Sequence, residues 1–216
     1  YPKMEIFEAY QKGEIQDEII DDIQVYRSKI YVTKSKRIIP RLLNYFSFVW
    51  TSYWRGNKLG NYDYLMVESP PLFLGYSAMR LSKKLKAKMI FNVSDLWPES
   101  AEKMGVVNNK MMLKMAYKLE AKCYDRASFI TGQTMGIVDN IKDRFPNTNL
   151  HWLPNGVDLE FYKPENINSV GFREKNNLKK DDIVFFYGGI LGHAQGLHVV
   201  LEAAKLCEDN LNIKII

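Results

Sequence analysis

From Tyr62 onward, short apolar runs alternate with longer segments of helical period, and this alternation constrains the fold more than any other feature. The runs are residues 62–67, 88–93, 128–131 and 150–153. Each reads as near-continuous apolar sequence rather than strict apolar–polar alternation, the pattern of a strand covered on both faces. Strands joined through helices run parallel, because parallel neighbours need a crossover connection. The expectation is a doubly wound α/β sheet. Its helices are marked by Leu74, Ala78, Leu81 and Leu85; by Met112, Met115, Ala116, Leu119 and Cys123 within 109–126; and by a segment capped at Thr134 and running to about Arg144. Glu68-Ser69-Pro70-Pro71 ends the first run, with Ser69 as a helix N-cap and Pro70 at the first helical position.

The alternation breaks at Leu150–Tyr162, LHWLPNGVDLEFY. The apolar run ends at Pro154, and Asn155-Gly156 is a pair that accepts positive φ and turns a chain sharply. A polar stretch follows, and the pattern resumes with a strand at Ile183–Tyr187, a turn at Gly188–Gly196, a helix from Leu197 to about Glu208, and a strand from Leu211. Leu197, Val200, Leu201, Ala204 and Cys207 form that helix's inward face. Two domains are expected, 1–162 and 163–216, with Asn155 and Gly156 at the hinge. The chain begins at Tyr1 and stops within an apolar strand at Ile216, which reads as a piece cut at both ends and lacking the sheet's first strand.

Ahead of the sheet, residues 1–15 read as a loop, and residues 18–27 as a hairpin turning at Asp21-Asp22. Lys34, Lys36 and Arg37 form a basic cluster. A helix over 38–59 carries Ile39, Leu42, Leu43, Phe46, Val49, Trp50 and Tyr53 at core spacing. Its other stripe, Arg41, Tyr45, Phe48 and Arg55, suits contact with an anionic membrane; equally, its aromatics pack under a neighbour and its arginines are solvated.

Charge bears on partners. The chain has 30 Lys+Arg against 25 Asp+Glu, a net +5, which favours a membrane surface, a nucleic acid or a phosphorylated ligand without choosing among them. At 46% hydrophobic residues the chain is too apolar to be disordered. No apolar run approaches the roughly 20 residues of a spanning helix. Cys123 and Cys207, on apolar helix positions, read as buried free thiols in a reducing cytosol. His151, His193 and His198 lack metal-site spacing, so no metal is expected.

Ligands of open parallel sheets bind beyond the carboxyl ends of the strands. The turn at Gly188–Gly196 lets the backbone approach a ligand and leads into a helix N-terminus, which suits a diphosphate; tight strand–helix packing is the competing explanation. Asp95 and Glu99, beside Trp97, suit hydrogen bonds to sugar hydroxyls, or else Asp95 caps a short helix begun by Pro98 and Trp97 is core. Glu68 and Ser69 occupy another strand exit, where capping before Pro70-Pro71 is the plainer reading.

Together these stretches resemble family 4 of the GT-B glycosyltransferases. Leu153-Pro154-Asn155-Gly156-Val157-Asp158, with Phe161 and Pro164, is similar to that family's interdomain motif. Tyr187 to Leu197, with Glu202-Ala203-Ala204, resembles the first turn and helix of its donor domain. Asp95-Leu96-Trp97-Pro98-Glu99-Ser100-Ala101, with Gly105, resembles a subgroup that builds bacterial O-antigen and capsular polysaccharides, including fucosamine-type transferases. The resemblance implies a GT-B fold: an incomplete Rossmann-like doubly wound domain, then the first strand–helix–strand of a second Rossmann-like domain.

It also implies a retaining transfer, without metal or other cofactor, from a nucleotide sugar to a lipid-linked saccharide. The protein would sit in the cytoplasm or peripherally on the inner face of the membrane, with no nucleic-acid partner. By position, Gly189, Gly192, Gln195 and Gly196 would line the donor diphosphate, Glu68, Asp95 and Glu99 would meet the acceptor, and Asp95 would face the reacting group. Gln195 stands where many members have a basic residue, and Ile190 where the subgroup often has Asn. The acceptor loop before the first strand and the Glu-x7-Glu segment of the donor domain are not in this sequence, so this chain alone is expected to be inactive. A GT-B-shaped nucleotide-sugar epimerase or phosphorylase, or a non-catalytic module binding membrane or nucleic acid, are the alternatives.

Overall fold

The computed structural model describes residues 6, 17–35, 37–166 and 170–216. Most of the expected N-terminal loop, and Lys36 of the basic cluster, lie outside the described residues. The chain divides into two compact units, Tyr1–Asn155 and Gly156–Ile216.

The first unit opens with a hairpin, β1 (Asp17–Ile20) and β2 (Ile23–Tyr26), paired antiparallel. Its two-residue turn is made by Asp21 at φ 48° and Asp22 at φ 64°. Two successive positive-φ residues are what a twist-matched hairpin turn requires, and Asp tolerates that region better than most residues.

A parallel sheet follows, formed by β3 (Tyr64–Ser69), β4 (Lys88–Val93), β5 (Phe129–Gly132) and β6 (Leu150–Trp152), in the spatial order β3-β4-β5-β6. The crossovers are α2 (Leu74–Leu85), then α3 (Glu99–Lys103) with α4 (Lys110–Arg126), then α5 (Met135–Arg144). Strand order that never reverses is one wing of a doubly wound sheet, and right-handed crossovers put its helices on one face. The core agrees: Leu72 and Ala78, Leu119, Cys123 and Tyr124, and Ile137 and Ile141 close over Met89, Phe91, Val93 and Ile130. The other face leaves Tyr64 and Met66 exposed. Thr134 caps α5, its Oγ1 accepting from Ile137 N at 3.2 Å, as its sequence position predicts. Asn109 caps α4, accepting from Met111 N and Met112 N at 3.0 Å each.

Several expectations need correction. Ser69 does not cap a helix; it is the buried last residue of β3. Pro70 and Pro71 supply no N–H, and the chain turns through residues 71–76 on successive i→i+3 bonds before α2 begins at Leu74. On α4 the apolar face is rotated: Leu113, Leu119, Cys123 and Tyr124 are buried, whereas Met112 and Met115 are exposed.

The helix α1 (Ile38–Gly56) departs further. Ile39, Leu43, Phe46 and Trp50, expected in the core, are exposed. α1 instead packs on α2 through Ser52 and Gly56, with the Phe46 ring 4.9 Å from that of Phe73 just before α2. Ser52 Oγ lies 3.2 Å from Ser77 Oγ, and a β-carbon at Gly56 would meet Leu81 Cδ1 at 2.8 Å. Small residues let the two helices approach, so only one edge of the apolar arc finds a partner. A polar seam fixes the opposite edge: Asn44 donates to Tyr31 O, Ser47 Oγ accepts from Tyr31 N at 2.8 Å, and Thr51 Oγ1 donates to Lys29 O at 2.6 Å. The stripe Arg41, Tyr45, Phe48 and Arg55 is not one open surface either. Phe48 is half-buried, and Arg55 is ion-paired with Asp17 and lies over the Tyr26 ring.

The second unit contains a short 3-10 turn at Pro164–Asn166, α6 (Val170–Lys175), and the parallel pair β7 (Ile183–Phe185) and β8 (Ile213–Ile215), connected through α7 (His198–Leu206). The inward face expected for α7 is only partly inward, with Leu201 and Val200 exposed. A two-stranded sheet and a short helix provide little apolar surface to bury against. Among the described residues, no helix is long and apolar enough to cross a membrane.

Candidate functional site

In the first unit the carboxyl ends of β3, β4 and β5 place chemistry-bearing side chains side by side. Glu68, Asn92, Thr131 and His151 occupy one register line across the four strands. Thr131 Oγ1 donates to Asn92 Oδ1 at 2.7 Å, and both residues are buried. This polar rung sits within otherwise apolar strands. Asn92 and Thr131 escaped the sequence reading; their signal was a polar residue at the penultimate position of β4 and of β5.

Just beyond the rung the loops knit together. Glu68 accepts from Ser94 Oγ, and Ser94 N donates to Ser69 O at 2.9 Å, joining the exits of β3 and β4. Asp95 is half-buried and accepts from Ser100 Oγ at 2.5 Å. The residue before α3 is Pro98, and no side chain caps that helix, so Asp95 is held by a hydroxyl rather than spent on backbone N–H groups. Trp97 packs on the core, edge-on to Phe73 at 6.4 Å.

Glu99 faces a different network. Lys103 Nζ pairs with it at 2.5 Å, Asn140 Nδ2 donates at 3.2 Å, and Arg144 lies 3.8 Å away. The hydrogen bond from Lys103, with smaller help from Asn140 and Arg144, holds its carboxyl below the usual range despite partial burial. The structure therefore brings Glu68 and Asp95 to neighbouring strand exits and ties Glu99 to α5.

The residues expected at a hinge divide between the units. Asn155 Oδ1 accepts from Gln133 Nε2 at the exit of β5, and Gly156 begins the second unit. Neither takes positive φ, so the expected sharp Asn-Gly turn is not made. The chain turns later instead, at Asp158, whose carboxylate accepts from Glu160 N and Phe161 N at 3.0 Å each.

In the second unit the glycine loop follows β7. Gly196 has φ +60°, a region that strains residues with a side chain. A β-carbon at Gly189 would meet Tyr187 Oη at 2.9 Å, and that hydroxyl donates to Ile190 O, also at 2.9 Å. Gln195 N donates to Gly192 O at 3.2 Å within the short 3-10 turn that leads to α7. Gly189, Gly192, Gln195 and Gly196 thus share one compact loop. No side chain caps the N-terminus of α7. Among the described residues, no three His, Cys, Asp or Glu side chains gather as a metal site.

No protein-family model and no curated protein matches the chain. Solved structures do. Sucrose-phosphate synthase from Thermosynechococcus elongatus aligns with a TM-score of 0.57 at 11% identity, over 92% of this chain and 56% of that one. Anabaena HepE, in complex with UDP and glucose, aligns with a TM-score of 0.53 at 12% identity, over 87% of this chain and 46% of that one. The fold is of the GT-B type. It consists of a Rossmann-like parallel-sheet unit followed by the strand–helix–strand opening of another, and it spans about half the length of the solved structures it matches.

Proposed function

We propose that the chain belongs to a glycosyltransferase that moves a hexose-type sugar from a nucleotide-sugar donor to an acceptor hydroxyl. The observation that carries this reading is the GT-B fold together with Glu68 and Asp95 at adjacent strand exits, where open parallel sheets bind ligands. The glycine loop and the uncapped N-terminus of α7 would receive the donor diphosphate, with backbone N–H groups and the helix dipole stabilising the charge that develops on it. Asp95, oriented by Ser100, would face the reacting sugar or the acceptor hydroxyl; Glu68 would bind the acceptor. Glu99 would serve the acceptor only through the oxygens its network leaves accessible. Asn155, held by Gln133, and Gly156 would act as the hinge. The transfer would retain anomeric configuration and use no metal.

The finer assignment follows the sequence motifs. The protein would be a family 4 enzyme of O-antigen or capsule assembly, acting on a lipid-linked saccharide at the cytoplasmic face of the membrane.

The test is to express the open reading frame that encodes this chain and assay candidate nucleotide sugars with a polyprenyl-diphosphate saccharide. Nucleotide release that depends on the acceptor supports the proposal. An altered sugar nucleotide released without acceptor would identify an epimerase, and dependence on inorganic phosphate a phosphorylase. Nucleotide sugar left intact with every acceptor would overturn enzymatic transfer. Within an active enzyme, Asp95→Asn is expected to cut turnover more than about tenfold, roughly 1.4 kcal/mol of barrier; a near-normal rate would remove Asp95 from the chemistry.

A further inference from the structure

The open side of α1 carries a contiguous apolar stripe. Ile39, Leu43, Phe46, Trp50 and Trp54 are exposed, from 43% at Phe46 to 70% at Ile39. At about 100° per residue they fall within an arc of about 80° on the helix. Trp50 and Trp54 meet edge to face at 5.9 Å, so the two rings stand together as one ridge. The stripe borders the α2 seam, made by Ser52 and Gly56, along Phe46 alone, whose ring lies 4.9 Å from that of Phe73, and it is separate from the polar seam of Asn44, Ser47 and Thr51.

Charge around it is one-sided. From Ile23 to Tyr62 the sequence contains no Asp or Glu and eight Lys or Arg, more than the net +5 of the whole chain. Arg27 and Arg55 are paired with the carboxylates of β1. Lys29, Arg37, Arg41 and Lys58 are exposed, Arg37 just before α1 and Lys58 just after it.

We infer that α1 lies on an anionic phospholipid surface, with Ile39, Leu43, Phe46, Trp50 and Trp54 in the headgroup–acyl boundary and the exposed Lys29, Arg37 and Lys58 against the lipid phosphates. An apolar face with indole rings toward one end and a cation just beyond each end is the composition of an interfacial helix. Basic residues near such a surface add an attraction that a purely apolar partner would not draw on. The absence of any carboxylate over 40 residues removes the repulsion that would oppose it. This assignment moves the membrane face from Arg41, Tyr45, Phe48 and Arg55 to the other side of the helix, and it depends on no reading of the chemistry at the strand exits.

The test is co-sedimentation of the 216-residue chain with vesicles of phosphatidylcholine containing phosphatidylglycerol, against phosphatidylcholine alone. The chain should bind the anionic vesicles and release as salt rises. Trp50→Ser with Trp54→Ser should weaken partition at least tenfold, whereas Met111→Ser with Met115→Ser, on exposed positions of α4, should leave it unchanged. Tryptophan fluorescence of the unsubstituted chain, quenched by brominated lipid, checks insertion without relying on a variant. Equal binding to neutral vesicles, unchanged binding of the Trp variant, or absence of quenching would overturn the inference. So would a concentration-dependent dimer that the Trp substitutions dissociate in the absence of vesicle binding, because the stripe would then belong to a second copy. Binding to duplex DNA that survives the Trp substitutions, without binding to vesicles, would also overturn it.

Discussion

Arg144→Met is expected to destabilise the Tyr1–Asn155 unit by about 3–5 kcal/mol, the range for removing one partner of a buried ion pair. Glu120 lies within the α4 face that packs on the core and is 1% exposed. Its carboxylate is met by both terminal nitrogens of Arg144, one at 3.1 Å, and accepts from Tyr124 Oη at 3.2 Å. Arg144 also lies over the rings of Tyr117 and Phe145, at 5.6 and 5.1 Å. Without the guanidinium, a buried carboxylate would keep its desolvation penalty and lose its charge partner. For a unit of this size the loss corresponds to a drop in melting temperature of roughly 10 °C. Circular dichroism of the variant measures it, and a melting curve superposed on that of the unsubstituted protein would show that the pair holds nothing. The double variant Glu120→Leu with Arg144→Met separates the two effects: with neither charge left, most of the lost stability should return.

Burial holds the Glu120 carboxyl above its ordinary value of 4.5, with Arg144 and Tyr124 pulling the other way. The folded state therefore keeps a proton that the unfolded chain has released. Stability from this group falls as pH rises from about the ordinary value through the raised one, and Glu120→Gln should flatten that slope. In Arg144→Met the slope should steepen, because the main opposing influence has gone.

Gly75→Val is expected to cost roughly 3 kcal/mol, the upper end of core overpacking. Gly75 lies buried in the first turn of α2, and a β-carbon there would collide with Cys123 Sγ and reach within 3.7 Å of Phe91 Cε2. Cys123 is fully buried on α4, and burial pushes its thiol up to about 12, so it remains a neutral, closely packed group. Gly75 is therefore a point where α2 closely approaches both α4 and β4. Chemical denaturation of Gly75→Val, alone and with Cys123→Ala, provides the measurement. Cys123→Ala should recover part of the loss by vacating the space the sulfur fills. If Gly75→Val unfolds at the same denaturant concentration as the unsubstituted protein, α2 and α4 can separate without penalty.

These two sites show what the sequence could and could not convey. The alternation of strands and helices was legible because period and length both change at each boundary; residues 88–93, expected as a strand, are β4 residue for residue. The hairpin turn was legible because paired aspartates leave few other conformations. Which arc of a helix meets a neighbour was not. On α1 the apolar arc is wider than the available partner, and Ser52 and Gly56, which lie outside the expected apolar face, make the contact because they are small. Glu120 reads as an ordinary helix carboxylate, yet it lies seven residues after Leu113 and four before Tyr124, in phase with the buried face. That phase was the available signal, and Arg144 becomes its partner only through the fold. At the candidate site, Glu68 and Asp95 could be placed at strand exits from the sequence, but the Asn92–Thr131 rung could not, since strand register sets it. The Asn155-Gly156 turn chemistry allowed a bend that the chain does not use, because Gln133 holds the Asn155 side chain.

The contact between Ser94 and Glu68 has a consequence for anything that settles beyond the ends of β3 and β4. Two separate loops would each have to be immobilised by an incoming molecule, at about 0.5–1.5 kcal/mol for each flexible side chain stilled. Here the side-chain bond and the bond from Ser94 N to Ser69 O have already joined them during folding. A molecule that settles beyond these strand ends would therefore have less ordering left to impose on the two loops.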